Sequence, residues 1–577
     1  MRFSEVRFVS VVLLVTGIVP CAGAQSSIGK VTLSKTTMAR VSTIGSGSHT
    51  TYNTVSLLAE MPDADLVTAR RNSAVHADAV ATEAAAVLSV PVPQPNSVMT
   101  GATSVAFKGL TTVDTANTNG FVVSPPDQGL CAGHGFAMEV INLSMAVYST
   151  SGARLTVPES VYSFFGFDPN SNSLSDPRCY YDASTQRWFV SMTDPFDSAT
   201  GRSYLLLAVS QTSDPRGAFY IYVIDSTDDG LNGTPANPGC NSSDPCFGDQ
   251  PTLGADAYGV YLTTNEFGLA APVFNGAEIY AISKSALEAG TASSLVHIGD
   301  LSLAEGYSYS VQPASSPDLS GESGSGVEYF LSALDFYGTL DNRIAVWALT
   351  NTSSLSSATP NVSLSNDVIR SEVYGQPGPA TQKSGPYPLG QALGDPEELI
   401  SSGDDRMQNV VFASGHLWGA LNTVISDGTN TNVGIAYFDV KPSVSGGLVS
   451  GKVQGQSYIS IKGNSVIYPG TGVTEDGTAA IAFTVTGPSF YPSAAYAKVN
   501  PSHASSVSIV AEGVAPQDDF SGYPQFGGGG VARWGDYSWG VADGNSLWLA
   551  TEYIPGGISA LNYYTDFGTY VYEVKFQ

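Results

Sequence analysis

Acidic and basic side chains recur at two fixed places in this sequence, and both places could hold chemistry. The stretch RWGDYSWGVADGNSLWLATEY, Arg533–Tyr553, is an apolar alternation with Arg533 and Asp536 at its start and Glu552 at its end. DPRCYYDASTQRWFVSMTD (Asp176–Asp194) and DQPTLGADAYGVYLTTNEF (Asp249–Phe267) repeat that layout, and weaker versions begin at Pro126, Val311, Asp405 and Ile467. The starts supply Asp127, Asp176, Arg178, Asp249, Arg406, Arg533 and Asp536. The ends supply Asn142, Asp194, Glu266, Asp335, Asn422, Thr486 and Glu552.

Three kinds of chemistry suit these residue types. Asp176, Asp249, Asp536 and Glu552 are candidate acids and bases for glycoside cleavage, which needs two carboxyls roughly 5–9 Å apart. Arg178, Arg406 and Arg533 could grip a carboxylate or sulfate, because guanidinium forks fit planar anions. Asp194, Glu266 and Asp335 would share that ligand site, with Trp534 stacking on a sugar ring. Carboxylate and amide oxygens around one mouth could also hold Ca²⁺. A separate Ca²⁺ candidate is DSTDDGLNG (Asp225–Gly233), where Asp225, Asp228 and Asp229 lie close together without the terminal Glu or flanking helices of an EF-hand. The plainer reading stands beside all of these. Asp before Pro or Gly commonly caps a turn, and Arg at a strand start commonly pairs with it. GGGG (Gly527–Gly530) has no following Lys and reads as an entry turn.

What must position these residues is a repeat. The anchors Asp127, Asp176, Asp249, Gln312, Arg406, Tyr468 and Asp536 average about 68 residues apart. The better units parse into four strands, as in RCYYDA, RWFVSMTD, YLLLAVSQ and AFYIYVID. Four-stranded antiparallel units repeated radially predict an all-β, seven-bladed β-propeller. In such a blade, the turn entering the inner strand and the turn leaving the second strand share a face. The two polar sets therefore converge on one channel mouth. The last unit ends one strand short, and TSVAFKGLT (Thr103–Thr111) is available as an N-terminal strand to close the ring. Trp188, Trp418, Trp534, Trp539 and Trp548 recur in equivalent strands, where aromatics usually pack between blades, and Trp534 or Trp539, flanking an entry turn, could instead stack on a sugar.

Composition agrees with that architecture. Charged residues are 13% of 577, whereas Gly (61), Tyr (29) and Phe (24) are plentiful. The net charge of −27 repels phosphate backbones and argues against nucleic acid. Residues 1–24 read as a signal peptide, with the apolar run Phe8–Val19 and the small residues Ala22-Gly23-Ala24. No later segment suits a membrane span, so a secreted (extracellular or periplasmic) monomer is expected. Residues 25–102 read as a flexible extension or linker, and 103–577 as the propeller. Export leaves four cysteines, expected to pair as Cys131–Cys179 and Cys240–Cys246.

DPRCYYDASTQRWFVS, LLLAVSQTSDPRGAF, DQPTLGADAYGVYLTTNEF and RWGDYS…LWLATEY together resemble a group of secreted bacterial β-propeller proteins of mostly unassigned function. A more distant likeness is to sialidase-like propellers, whose S-x-D-x-G-x-T-W box is absent. The resemblance implies the fold over residues 103–577 and little about activity. Binding of a glycan or other extracellular ligand through the polar face is the leading expectation. A glycoside hydrolase (sialidase-like or lyase-like) using that face, or a structural or adhesive envelope protein, are the alternatives.

Overall fold

The computed structural model describes residues 88–576, save 232–233, 236, 238, 241–242, 270–272, 318–325 and 336–337. It also describes the backbone of the strands Ser27–Thr32, Ser34–Arg40 and Ser56–Leu57. The expected signal peptide lies outside the described residues.

Short alternating runs broken by Gly, Asn and Asp turns fold as consecutive antiparallel meanders. Their inner strands are Gln128–Gly133, Ser175–Asp182, Cys246–Ala255, Gln312–Ser315, Val410–Ala413, Ser465–Val473 and Trp539–Asp543. From each, the chain steps outward through strands paired in order. Neighbouring inner strands pack side by side around the molecule, and the last, Trp539–Asp543, packs on the first, Gln128–Gly133. This closed radial arrangement of antiparallel sheets is a β-propeller.

The hydrophobic core is divided among the interfaces between meanders. Met138, Val140 and Val147 pack on Trp188, Val190 and Leu206. At the junction of last and first, Leu130, Ala137 and Tyr148 pack on Trp548 and Val571. Trp188 and Trp548 are therefore core, as their repeated positions suggest. Inner strands approach so closely that some positions admit no side chain. A Cβ on Gly254 would stand 2.6 Å from the Ala314 carbonyl, and one on Gly470 would stand 2.4 Å from the Ser538 carbonyl carbon.

Strand Val105–Thr111 pairs antiparallel with Gly568–Lys575, the place foreseen for TSVAFKGLT. The last sheet thus takes its outer strand from before the first, which removes an exposed edge. Segment 25–102, expected as a loose extension, adds further edges where it is described. Ser27–Thr32 pairs with Ser294–Leu303, Ser34–Arg40 with Ala218–Asp225, and Val98–Thr100 with Val507–Ala511.

Both expected disulfides are present, Cys131–Cys179 between neighbouring inner strands and Cys240–Cys246 within one loop. Such bonds belong to chains that mature outside a reducing cytoplasm. Among the described residues, no helix is long and apolar enough to cross a membrane.

Deleting the mature chain up to Gln128 should expose the Gly568–Lys575 edge and lower Tm sharply. Deleting it only to Pro95 should cost much less, since the closing strand stays. Thermal melts of both proteins check this, and equal Tm values would refute closure by this strand.

Candidate functional site

At the entries of the inner strands, Asp127, Asp176, Gln250, Ser310 and Tyr468 all adopt left-handed backbone, with φ of 35°, 56°, 47°, 43° and 56°. That conformation is uncommon for residues other than glycine and costs roughly 1 kcal/mol or more each. Here it turns the backbone N–H sideways, toward the preceding meander. The Asp176 N–H donates to Asn142 Oδ1 (3.0 Å), Gln250 N–H to Asp176 Oδ2 (3.0 Å), Ser310 N–H to Asn265 Oδ1 (2.7 Å) and Tyr468 N–H to Asn422 Oδ1 (2.8 Å). The Asp536 N–H donates to Asp127 Oδ1 (2.6 Å), which links the last meander to the first. Each side chain clasps a buried N–H that would otherwise be unsatisfied. The capping role of these residues is therefore realised between blades.

Asn142 meets Asp127 and Asp176 on this side, Glu552 meets Gly535 beside Asp536, and nearly all members of the two predicted sets are buried. Asn142, Asp194, Glu266, Asp335, Asn422, Thr486 and Glu552 are each 5% exposed or less. Their partners differ. Asp194 accepts from Asn172 Nδ2 and the Ser173 N–H, Asp335 from the Thr339 N–H, and the Thr486 hydroxyl donates to the Thr381 carbonyl. Glu266 faces a separate buried cluster with Asn237 and Asn275. Asp249 lies in the strand Cys246–Ala255, one residue before the left-handed Gln250.

The arginines are held by the fold. Arg178 Nε donates to the Pro251 carbonyl (2.7 Å), and its guanidinium lies 3.3 Å from the centroid of the Tyr537 ring. Arg406 forks onto Asp404 and also bonds Gln250 Oε1. Arg533 pairs with Asp536 at 3.5 Å, and its side chain keeps 21% exposure. Of the three, Arg178 and Arg406 have their guanidinium groups committed across blade interfaces. Trp534 is corrected as a sugar platform. It is 1% exposed, packs with Ile400 and Tyr468, and donates from Nε1 to Thr484 Oγ1. The three acids of the Asp225/Asp228/Asp229 loop do not come together. Asp225 and Asp229 both pair with Arg202, while Asp228 turns away into the protein.

The mouth is a row of buried acids. Ligand oxygens of Asp127, Asp176 and Asp536 lie within 4.8 Å of one another. Burial, reinforced by Asp176, pushes Asp127 up to about 7. Glu552, whose Oε2 accepts from the Gly535 N–H at 2.7 Å, is raised well above the usual range by burial. Two long insertions, residues 375–409 and 512–538, join through parallel strands Leu399–Ile400 and Val531–Ala532 and extend the row. Burial raises Glu398 to about 10 and also lifts Asp519 and Asp566. Sequence reasoning missed these three acids because they lie outside the repeat. The pairs EE in DPEEL and DD in PQDDF were the available signal. Three close carboxylates could hold Ca²⁺ at Asp127, Asp176 and Asp536, yet internal donors already reach each of them.

At the far ends of the inner strands, a cavity of about 60 Å³ is lined by Ala132, Tyr181, Ser315, Val411, Val473 and Val541. That volume holds a few waters, well below the 300 Å³ or more typical of a ligand pocket.

No protein family matches this chain, and no curated protein matches it. Solved structures similar to parts of it include a putative exo-β-1,3-galactanase from Bifidobacterium bifidum, at 12% identity over 58% of this chain and 93% of that one, TM-score 0.27. An α-L-arabinofuranosidase from Podospora anserina matches at 9% identity over 71% and 93%, TM-score 0.28. A Trypanosoma rangeli sialidase matches at 9% identity over 70% and 55%, TM-score 0.31.

Removing one partner of a buried ion pair leaves the other uncompensated, at a cost of about 3–5 kcal/mol. Arg406→Ala should therefore lower unfolding free energy by about that much, measured by denaturant titration. Unchanged stability would show that its fork onto Asp404 is not part of the fold's fastening. A second expectation concerns pH. Burial raises Asp127 to about 7 and Asp194 to about 6, so both bind protons more tightly folded than unfolded. Their contribution is complete below the unfolded carboxylate pKa and is lost as pH rises through 6 and 7. Tm should fall between pH 5 and pH 8, and Asp127→Asn should flatten that fall. A wild-type Tm that rises over this range would contradict the assignment.

Proposed function

We propose that the chain is a secreted, seven-bladed β-propeller, closed by Val105–Thr111, that binds an uncharged extracellular glycan at the inner-strand entry mouth. The observation that carries this reading is the row of buried carboxyls from Asp176 through Asp127, Asp536 and Glu552 to Asp519, Asp566 and Glu398. Protonated carboxyls donate as well as accept, so the row offers both halves of the hydrogen bonds that sugar hydroxyls make. Arg178 and Arg406 are bound up in blade contacts, which leaves Arg533 as the partly exposed guanidinium of the predicted trio. An anionic sugar would find few cationic partners there, which favours a neutral ligand.

A second reading, glycoside hydrolysis, draws on the acid pair itself. Asp127, pushed up to about 7, lies beside Asp176 with an oxygen of each within 4.8 Å, and retaining glycosidases work with two neighbouring carboxyls. In that reading Asp127 supplies the proton and Asp176 or Asp536 is the nucleophile.

A glycan array paired with a reducing-sugar release assay separates the two. Binding predicts retention on neutral glycans that Arg533→Ala and Glu552→Gln abolish with circular dichroism unchanged. Gln suits position 552 because its amide oxygen can still accept from the Gly535 N–H. Sugar release lost in Asp176→Asn supports hydrolysis. A folded protein that neither binds nor cleaves any glycan removes both readings.

A further inference from the structure

Away from the channel mouth, the loop that follows the outer strand Ala218–Asp225 delivers Asp228 into the sheet of its neighbour. There it meets Glu266 from the strand Gly259–Gly268, Glu278 from Phe274–Ser283 and His297 from Ser294–Leu303. Asp228, Glu278 and His297 have no solvent exposure, and Glu266 and Asn237 have 1% and 3%. One ligand atom from each of Asp228, Glu278 and His297 lies within 4.8 Å of the others. His297 Nε2 stands 3.0 Å from Glu278 Oε2 and 3.6 Å from Asp228 Oδ2.

The cluster is short of donors. Glu278 is served by Tyr280 Oη (2.8 Å) and by Asn237 Nδ2, and Glu266 Oε2 by Asn237 and Asn275. Both oxygens of Asp228, Glu266 Oε1 and Asn237 Oδ1 are buried and accept no hydrogen bond. A buried acceptor without a partner is costly, and a buried carboxylate without one far more so. Three carboxyls here face one imidazole. The sequence has no Lys or Arg between Arg216 and Lys284, and Lys284 is paired with Asp182. The neighbouring Arg202 is taken by Asp225 and Asp229. Space at the cluster is kept by Gly299, where a Cβ would stand 3.1 Å from both Asn237 Oδ1 and Glu278 Oε1. The nearby pair Cys240 and Cys246 is disulfide-bonded and supplies no thiolate.

We propose that Asp228, Glu278 and His297 hold a divalent first-row transition-metal cation, with Glu266 Oε1 and Asn237 Oδ1 facing its remaining sides. A cation satisfies every donor-poor oxygen at once and balances the excess negative charge. An imidazole nitrogen among carboxylates favours Mn²⁺ or Zn²⁺ over Ca²⁺, which prefers oxygen ligands alone. The ion would pin Asp228 and Asn237 to the sheet they face.

The test strips the purified chain with EDTA, then titrates MnCl₂, ZnCl₂ and CaCl₂ separately by calorimetry, with Tm and elemental stoichiometry read alongside. The proposal expects one equivalent of Mn²⁺ or Zn²⁺ per chain and a raised Tm. Asp228→Asn and His297→Gln should each weaken binding by more than about tenfold, as loss of a metal ligand does at least as severely as loss of its supporting contacts. Asp225→Asn, outside the cluster, should bind as wild type. X-ray absorption of the wild-type complex should report an imidazole shell, a readout that stands even if a variant misfolds. Absence of stoichiometric metal would overturn the proposal and leave the cluster sharing a proton. So would metal binding that neither variant weakens, or Ca²⁺ binding with no nitrogen ligand.

Discussion

Everything at the channel mouth follows from one need, to satisfy the N–H of a residue turned into left-handed backbone at the start of an inner strand. In an ordinary sheet that N–H would join the ladder. Here the turn points it across the interface, where the next acceptor is a side chain of the preceding meander. Asn142, Asn265 and Asn422 serve as neutral acceptors and Asp176 as an acidic one, while Asp127 accepts the ordinary N–H of Asp536 across the closing interface. Van der Waals packing between blades is non-directional and would tolerate slippage. A buried hydrogen bond with one geometry does not, so the clasps fix the register at which each interface core closes.

Much of this architecture was legible because its signals are local. Alternation over five to eight residues, bounded by turn residues, marks strands wherever they occur. The missing fourth strand of the last unit pointed to Thr103–Thr111, and the even cysteine count pointed to the two disulfides. The function of the polar ring was less legible, for a physical reason. Inner strands carry bulges, as at Ser175/Arg178, Asp249/Thr252 and Ile467/Gly470. A bulge shifts side chains by one position, so the interface acceptor is Asn265, one residue before the predicted Glu266, and the left-handed residue is Gln250, one residue after the predicted Asp249. Glu398, Asp519 and Asp566 carried no repeat signal at all. Trp534 looked exposed because a polar turn surrounds it, yet the two insertions cover it.

Scarcity of cations shapes the electrostatics. With 24 basic residues against 51 acidic ones, most buried carboxyls cannot find a guanidinium. The arginines that do occur are spent on architecture, as Arg178 shows by stacking on Tyr537 from another blade. Acids left inside are either capped by N–H groups or driven toward the protonated form. The formal charge of −27 therefore overstates what the folded protein carries near neutral pH.

Closure and site chemistry are consequently coupled at particular atoms. Asp127 completes the ring by accepting from Asp536, and that same enclosed position beside Asp176 raises its pKa into the working range of an acid catalyst. A carboxylate placed there purely for ligand chemistry would not need the Asp536 N–H, and one placed purely as a clasp could equally be asparagine, as at positions 142, 265 and 422. Asp127 and Asp176, neighbours at the mouth, are thus the two acidic exceptions among the interface acceptors. Arg533 and Glu552 stand apart from it, since Arg533 pairs with Asp536 and Glu552 accepts from Gly535 and neither accepts the N–H that joins the last meander to the first. Any activity at this mouth is separable from ring stability at those two residues and inseparable from it at Asp127.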